Sequence, residues 1–299
     1  MRFLLAAIIS FSCLASGSAL AQAPGQYPPE ELDRLVSRIA LYPDPLLAQI
    51  LAAATFPEQI PDASRWADEH HYLTGEPLAR AIADDHLPLD PSVQALLPFP
   101  SVLHMMAADM PWTTSLGNAF LDQPQDVTDS AQRLRHQAQD FGYLRTNAQV
   151  SVSSGPYVEI QPAAPGYVVV PYYDPLIVFA RPVPGYRPLV AIRYGYSVPI
   201  GVYFRPWGWG GNRIAWTSHT VFINDARWAR VRANRLTYVH PYAVPRYVVQ
   251  RPPEPHRAVP PSAHERQEEL HGQRAHEEHK REEHRKAEEH KKPEDHKQP

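Results

Sequence analysis

The sequence predicts an α+β protein in which an irregular helical domain precedes a β-rich segment and a charged tail. Three observations carry this prediction. Apolar residues recur with helical spacing through residues 30–146. Over residues 147–250, short β-branched and aromatic runs alternate with turn residues, which indicates an antiparallel sheet or a small barrel. Residues 251–299 are rich in Pro, His, Glu and Lys and almost lack large apolar side chains, so we expect a disordered tail.

The first 21 residues have the features of a Sec-type signal peptide. Arg2 precedes an apolar run that ends in Ala19-Leu20-Ala21, which predicts cleavage after the last of these. Cys13 lacks a lipoprotein context, and as the one cysteine of the chain it would leave with the signal. No later run reaches the roughly 20 apolar residues needed to span a bilayer. We therefore expect an exported protein of the periplasm or cell envelope, with residues 22–29 as a proline-rich leader.

Residues 32–56 form the longest stretch that can bury an apolar face, and they predict two helices. The first is expected to end at Tyr42-Pro43, because the residue before a proline is disfavoured in the α conformation. Asp44-Pro45 then combines a capping side chain with a proline at the first helical position. Residues 46–56 contain only two polar side chains, so this should be the most buried helix of the chain.

Shorter helices punctuated by proline should follow, and the longest of them should stop at Gly142. Their predicted ranges are 62–71 with Trp66 on the inner face, 76–85, a segment capped by Asp90-Pro91, 101–109, 112–121 and 123–141. Strands are predicted at 149–153, 157–161, 167–170, 176–179, 189–194, 198–204, 213–217, 220–223 and 236–239.

Several stretches together resemble a bacterial family of unknown function, DUF3300. They are LDRLVSRIALYPDPLLAQIL from Leu32, Trp66-Ala67, MPWTTSLGNAFLDQPQDVTDSAQRLR from Met110, and VEIQPAAPGYVVVPYYDPLIVF from Val158. The similarity covers residues 28–179 and extends more loosely to Tyr242. The resemblance implies an exported envelope protein. It implies no activity and supplies no catalytic residues.

Charge is distributed unevenly along the chain. Residues 22–180 carry 19 acidic and 7 basic side chains, a net charge of −12, whereas residues 181–257 carry 12 arginines against Asp225 and Glu254, a net charge of +10. Such asymmetry is informative about partners. Arginine forks bind phosphates and carboxylates, and aromatic rings offer stacking faces. In an exported protein we expect an anionic envelope polymer or lipid surface as the partner, and no cytosolic nucleic acid. The candidate ligand-binding residues are Arg205, Trp207, Trp209, Arg213, Trp216, Arg227, Trp228 and Arg230.

The basic block also fits two roles that involve no ligand. The arginines can dock against the acidic helical segment and neutralise it. They can also reflect codon usage, since every basic residue before Lys280 is an arginine. The sequence leaves both alternatives open.

Histidines and carboxylates suggest two places for a metal ion. In the tail, His276 and His279 would lie one turn apart on a helix, so weak divalent metal binding by the tail is a hypothesis, and no other cofactor is expected. Residues 68–71 and 84–86 group carboxylates and imidazoles that could bind a divalent metal, although solvated helix ends and loops are the favoured interpretation. The tail is also a candidate to contact a protein partner.

No short motif in the sequence names a reaction. There is no G-x-S-x-G elbow, no H-E-x-x-H and no S-x-x-K, and Glu159 with Asp174 is only a conceivable acid pair, since Tyr-Asp-Pro is typical of a turn. We therefore favour a non-catalytic envelope protein that binds or scaffolds an anionic component. The alternatives are an envelope hydrolase acting on cell-wall polymer and a structural protein without a ligand.

Overall fold

The computed structural model describes residues 26–183, 185, 190–240, 274, 276–283, 285 and 286. The predicted signal peptide lies outside the described residues, as does most of the predicted tail. The described residues up to 240 form one compact unit, and those from 274 onward belong to a second. In the second unit the described residues are helical and exposed.

The first part of the chain folds into a set of short helices, as the sequence predicts. Most have proline in their first turn, where its missing N–H costs no hydrogen bond. They are α1 (Pro29–Val36), α2 (Asp44–Ala54), α3 (Ile60–Glu69), α4 (Gly75–Asp85), α5 (Pro91–Gln94), α6 (Pro100–Ala108), α7 (Met110–Asp122) and α8 (Pro124–Asp140), with a 3₁₀ turn at Pro57–Gln59.

Helix α2 lies at the centre of the fold. Every one of its residues except Pro45 is buried, which confirms that it is the most enclosed helix. It packs against α5, α7 and strands of the β-rich segment. Helix α7 approaches α2 closely at Gly117, where a Cβ atom would lie 1.9 Å from the carbonyl oxygen of Ala54. Glycine therefore sets the distance between these two helices.

Helix α8 ends just before Gly142, the glycine that the sequence predicts as its C-terminal stop. Gly142 has a φ of 75°. Its N–H donates to the Gln139 carbonyl at 2.8 Å, and the Tyr143 N–H donates to the Ala138 carbonyl at 2.9 Å. These two bonds define a Schellman motif, which satisfies carbonyls at the end of the helix.

The β-rich segment consists of small antiparallel sheets. Within the described residues the pairs are β1 (Val150–Val152) with β2 (Ile160–Pro162), β3 (Tyr167–Val168) with β6 (Val198–Pro199), and β4 (Pro171–Tyr173) with β5 (Ile192–Tyr194). A three-stranded sheet follows, made of β7 (Arg213–Ala215), β8 (Thr220–Ile223) and β9 (Ala226–Arg227). The antiparallel prediction is confirmed, and these separate sheets do not close into the small barrel that was its alternative.

Several local predictions are wrong. The first helix ends at Val36 rather than at Tyr42, with turns in between. Residues predicted as a strand at 176–179 form most of a short helix, α9 (Pro175–Val178), because Asp174 caps it by accepting the Leu176 N–H at 2.8 Å. The strand predicted at 198–204 stops at Pro199 and gives way to α10 (Gly201–Phe204). Residues 236–239 contain no strand.

The two kinds of structure share one apolar core. Its main cluster joins residues of α2, α6 and α7 to Val168, Phe204, Ile214 and Val221 of the β-rich segment. A smaller cluster surrounds Val158 near the end of α8. No helix in the described ranges is long and apolar enough to span a bilayer.

Candidate functional site

The four tryptophans predicted to bind a ligand lie in the core. Trp207, Trp209, Trp216 and Trp228 are 2%, 7%, 3% and 7% exposed. The indole N–H of Trp209 donates to the Ala95 carbonyl at 2.9 Å. Each indole thus packs inside the protein, and its ring faces are covered by other residues rather than by solvent.

Two of the predicted arginines meet on the outer face of the three-stranded sheet. Register places Arg213 opposite Phe222, and Phe222 opposite Arg227, so the three side chains form one cross-strand row. The guanidinium carbon of Arg213 lies 4.2 Å from the Phe222 ring centroid. The opposite face of the sheet is buried, with Ile214 and Val221 in the core.

A third predicted arginine, Arg205, lies near the turn that ends this row. Asn224 and Asp225 both have positive φ, 51° and 62°, as a two-residue type I′ hairpin turn requires. Asn224 accepts the Gly210 N–H at 3.1 Å. The Arg205 Nε lies 3.9 Å from where a Cβ on Gly210 would sit. We refer to Arg205, Arg213, Phe222 and Arg227 as the arginine face.

The electrostatics of the arginine face leave it cationic. Arg205, Arg213 and Arg227 are exposed. Arg213 pairs with Asp225 at 2.8 Å, but both side chains are well exposed, at 49% and 67%. Such a surface pair contributes little stability and exchanges readily. No ion pair of Arg205 or Arg227 is found within the described ranges.

The fourth predicted arginine, Arg230, faces the helices instead. Its Nη1 donates to the Thr55 carbonyl and, at 2.8 Å, to the Thr55 hydroxyl. The guanidinium carbon lies 3.6 Å from the Phe56 ring centroid. Burial lowers the pKa of Arg230. Because these contacts are at the C-terminal end of α2, the cation also interacts favourably with the helix dipole.

A neighbouring arginine docks in the same manner. Arg232 holds Asp122, at the end of α7, with two hydrogen bonds, one of them 2.7 Å long, and donates to Asn118 at 3.0 Å. The hydrogen bonds to Asp122 raise the pKa of Arg232. Part of the basic block thus docks on the helices, which is one of the alternatives that the sequence left open.

The buried centre of the molecule contains an ion pair that sequence reasoning missed. Arg135 and Asp44 are both 0% exposed, and Arg135 Nη1 donates to Asp44 Oδ1 at 2.5 Å. Arg135 also donates to the carbonyls of Ala40, Tyr42 and Val158, at 2.7, 2.9 and 2.9 Å.

The carboxylate of Asp44 has further partners. Trp216 Nε1 donates to its Oδ2 at 3.0 Å, and the backbone N–H of Ile160 reaches its Oδ1 at 3.3 Å. The predicted role of Asp44 as a helix cap is therefore wrong, since α2 has no side-chain cap. The sequence did indicate that Arg135 is buried, because it falls on the apolar stripe of α8 with Ala131 and Ala138. This centre is closed to solvent and joins the helices to the β-rich segment.

The two groups of carboxylates and imidazoles, at residues 68–71 and 84–86, contact each other through His70 and Asp85. Trp66 Nε1 donates to Asp85 Oδ2 at 2.6 Å, and His70 stacks on the Trp66 ring at 3.9 Å between centroids. His70 Nε2 lies 3.8 Å from Asp85. Among the described residues, no group of three or more His, Cys, Asp or Glu side chains is arranged to hold a metal ion.

The remaining predicted metal residues lie in the second unit. His276 and His279 are both helical and exposed, and they lie three positions apart. His279 lies 3.8 Å from Glu283 on the next turn. Metal binding by this pair stays a prediction.

These observations define an α+β protein with a sealed arginine–carboxylate centre and a cationic sheet face. The chain belongs to DUF3300, described as a protein family of unknown function, whose model matches residues 28–252. It is 30% identical over 211 residues to the uncharacterised protein YacH of Escherichia coli strain K12. That match covers 59% of this chain, which spans about a third, 34%, of the length of YacH. None of the solved structures matches the chain.

Proposed function

We propose that this protein is an exported, non-catalytic component of the cell envelope that binds an anionic envelope polymer or lipid surface through the arginine face. The observation that carries the proposal is the cross-strand row of Arg213, Phe222 and Arg227. Its register places an arginine on either side of one phenylalanine, and the Arg213 guanidinium lies over that ring. Guanidinium forks form charge-assisted bonds with phosphate and carboxylate oxygens, so repeated anionic groups are the expected ligands.

The charge of the surrounding chain supports this choice. The segment 181–257 has a net charge of +10, from 12 arginines and two acids. Arg230 and Arg232 dock against helices, whereas Arg205 and Arg227 stay exposed without an ion pair among the described residues. An anionic polymer would meet the exposed cations first, because the docked ones lie against the ends of α2 and α7.

Export is part of the proposal and rests on residues 1–21. A positive start, an apolar run and Ala19-Leu20-Ala21 fit a Sec-type signal. N-terminal sequencing of the protein from envelope fractions should begin at Gln22, or at Pro24 as second choice. Recovery of the chain with an intact Met1 from the cytosol would remove the basis for an envelope ligand.

The binding experiment uses the full mature protein and three probes. They are vesicles of phosphatidylglycerol, neutral vesicles of phosphatidylcholine, and purified lipopolysaccharide. Cosedimentation is measured at low and at physiological salt. Screening reaches only about 8 Å at physiological ionic strength, so binding through exposed arginines should weaken strongly as salt rises. Binding to phosphatidylglycerol without lipopolysaccharide indicates a lipid surface, and the reverse indicates the polymer.

Two triple variants distinguish binding by the arginine face from a general effect of net charge. The first replaces Arg205, Arg213 and Arg227 with glutamine, and it should lose most of the salt-sensitive binding. The matched control replaces Arg181, Arg193 and Arg235, which are also exposed, and it should retain binding. Equal loss in both variants, or no salt-sensitive binding of the wild type to either anionic probe, contradicts the proposal. Arg230→Gln is expected to lower stability instead, because it removes the contacts with Thr55 and Phe56.

A further inference from the structure

A second surface, which shares no residue with the arginine face, is a cleft of about 360 Å³ between the helices and the β4–α9 segment. Its walls are mostly apolar, with Tyr42 and Met105 from the helical side and Tyr172, Tyr173 and Pro175 from the other. A cleft of this size with apolar walls and few polar groups is a typical ligand site.

The aromatic walls of this cleft are held in place. The Tyr173 hydroxyl donates to the Ser37 carbonyl at 2.7 Å and accepts the Leu41 N–H at 3.3 Å. The rings of Tyr173 and Tyr42 meet edge to face, 6.5 Å apart with an interplanar angle of 80°. Tyr42 is 5% exposed and packs at the floor. A ligand would therefore meet preformed surfaces.

Tyr172 is the exposed wall of the cleft, and a glycine determines where its ring lies. The side chain is 50% exposed. A Cβ atom on Gly195, in the segment after β5, would come within 2.9 Å of its Cε2. The ring can lie against the chain here only because residue 195 has no side chain. Half-exposed, positioned tyrosines are effective contact residues, because they bury much apolar area at little entropic cost.

The polar groups of the cleft are hydrogen-bond donors or hydroxyls. Arg38 is at the rim, with its side chain 42% exposed and paired to Asp109 at 2.9 Å. Ser101 and Tyr172 add their hydroxyls, whereas the hydroxyls of Tyr42 and Tyr173 already donate to Met105 Sδ and to the Ser37 carbonyl. No carboxylate is among the described residues that line the cleft. The lining is complementary to a ligand that has many acceptors and few donors.

We propose that this cleft binds a proline-rich segment of a partner protein in the polyproline II conformation. Proline has no N–H, so such a segment presents carbonyl acceptors and apolar pyrrolidine rings, which match the donors and tyrosine faces described above. Aromatic-lined grooves are the general mode by which this helix is recognised, and its rigidity lowers the entropy lost on binding.

The test measures binding of fluorescently labelled decaproline to the full mature protein by anisotropy. A peptide of the same length made of glycine and serine is the comparator. Tyr172→Ala should weaken decaproline binding at least about tenfold, as loss of an aromatic hot spot does. Gly195→Ala should weaken it as well, because it displaces the Tyr172 ring without changing the chemistry of the walls. Tyr196→Ala is the matched control, since Tyr196 is 97% exposed and does not line the cleft.

Thermal unfolding of each variant shows whether a loss of decaproline binding comes from misfolding. If Tyr172→Ala does not fold, Gly195→Ala and Tyr172→Phe decide the question, the second retaining the ring while losing the hydroxyl donor. The proposal is overturned if the wild type does not bind decaproline, or if the glycine-serine peptide binds equally well. It is also overturned if Tyr196→Ala reduces binding as much as Tyr172→Ala. Failure of this site leaves the arginine face untouched, because the two share no residue.

Discussion

The carboxylate of Asp44 and the guanidinium of Arg135 meet at 2.5 Å where neither is exposed to solvent. Ninety-one positions separate them in the sequence. Each guanidinium nitrogen donates to a carbonyl or to the carboxylate, and the Trp216 ring lies 4.7 Å from the guanidinium carbon. A buried charge is tolerated only when it is paired and hydrogen-bonded in this way. The pair therefore fixes how α2, α8 and the β-rich segment meet.

Removing one member of this pair should be severely destabilising. Arg135→Ala leaves the Asp44 carboxylate buried without its cation, and we expect it to lower the free energy of unfolding by ~3–5 kcal/mol. Denaturant unfolding monitored by circular dichroism measures this. The control is Arg133→Ala, whose side chain is 45% exposed and pairs with Asp33 at the surface. That change should cost less than about 1 kcal/mol. Similar losses for both would mean that the Asp44–Arg135 centre does not organise the core.

Truncation inside α2 tests its position at the centre of the fold. Leu47 is 0% exposed, so Leu47→Ala should lower the free energy of unfolding by ~2–5 kcal/mol through lost burial and a cavity. Leu176→Ala is the comparison, because that side chain is 84% exposed and should stay within about 0.5 kcal/mol of the wild type. A small effect at Leu47 would show that the helix does not face a packed core.

Two Asp-Pro pairs show what the sequence could and could not predict. Asp90 caps α5 as expected, by accepting the Ser92 N–H at 2.9 Å. Asp44 has the same local context, yet its carboxylate turns toward Arg135 and Trp216. Capping is a local interaction within three residues, whereas the partners of Asp44 lie 91 and 172 positions away. Sequence patterns therefore predicted helix positions better than they predicted the roles of single polar residues.

The candidate site shows the same limit. Composition identified the segment rich in arginine and aromatic residues, but it could not separate its surface from its core. Register decides which arginines point outward, since Arg213 and Arg227 share a face with Phe222 while Ile214 and Val221 point inward. The tryptophans are large apolar side chains, and burial in the core at α2 outweighed exposure to a ligand. Strand register and tertiary packing were the missing information.

Gly117 offers a test of the contact between α2 and α7. Glycine in a helix is usually less stable than alanine by roughly 1 kcal/mol, so an alanine at an unconstrained site would stabilise the helix. Here the added Cβ would lie 1.9 Å from the Ala54 carbonyl oxygen, which no side-chain adjustment relieves. We expect Gly117→Ala to lower the free energy of unfolding by ~1–3 kcal/mol or more, through overpacking. Gly155→Ala is the control, because its Cβ would meet no atom within 4 Å. Thermal unfolding that is unchanged by Gly117→Ala would contradict the close approach.

The pH dependence of stability provides the last test, at Tyr238 beside the docked Arg230. Burial, with the nearby Asp90 carboxylate as the second cause, raises the pKa of Tyr238 to about 12, whereas an unfolded tyrosine titrates near pH 10. Between these values the folded chain holds a proton that the unfolded chain has released, so the stability contributed below pH 10 is lost as pH rises toward 12. Burial also raises the pKa of Tyr42 and Tyr173, so the wild type should weaken steeply over this range.

Tyr238→Phe should make that alkaline decline shallower, because one of the contributing groups no longer titrates. The measurement is the free energy of unfolding in denaturant at a series of pH values from neutral to 12. Tyr196→Phe is the matched control, since this ring is 97% exposed, and its decline should follow the wild type. If the free energy of unfolding of both variants declines with pH in parallel with that of the wild type, the fold does not protect Tyr238 from ionisation. The packing of Trp228, Tyr238 and His240 would then need revision, because their ring centroids lie only 5.1–5.4 Å apart.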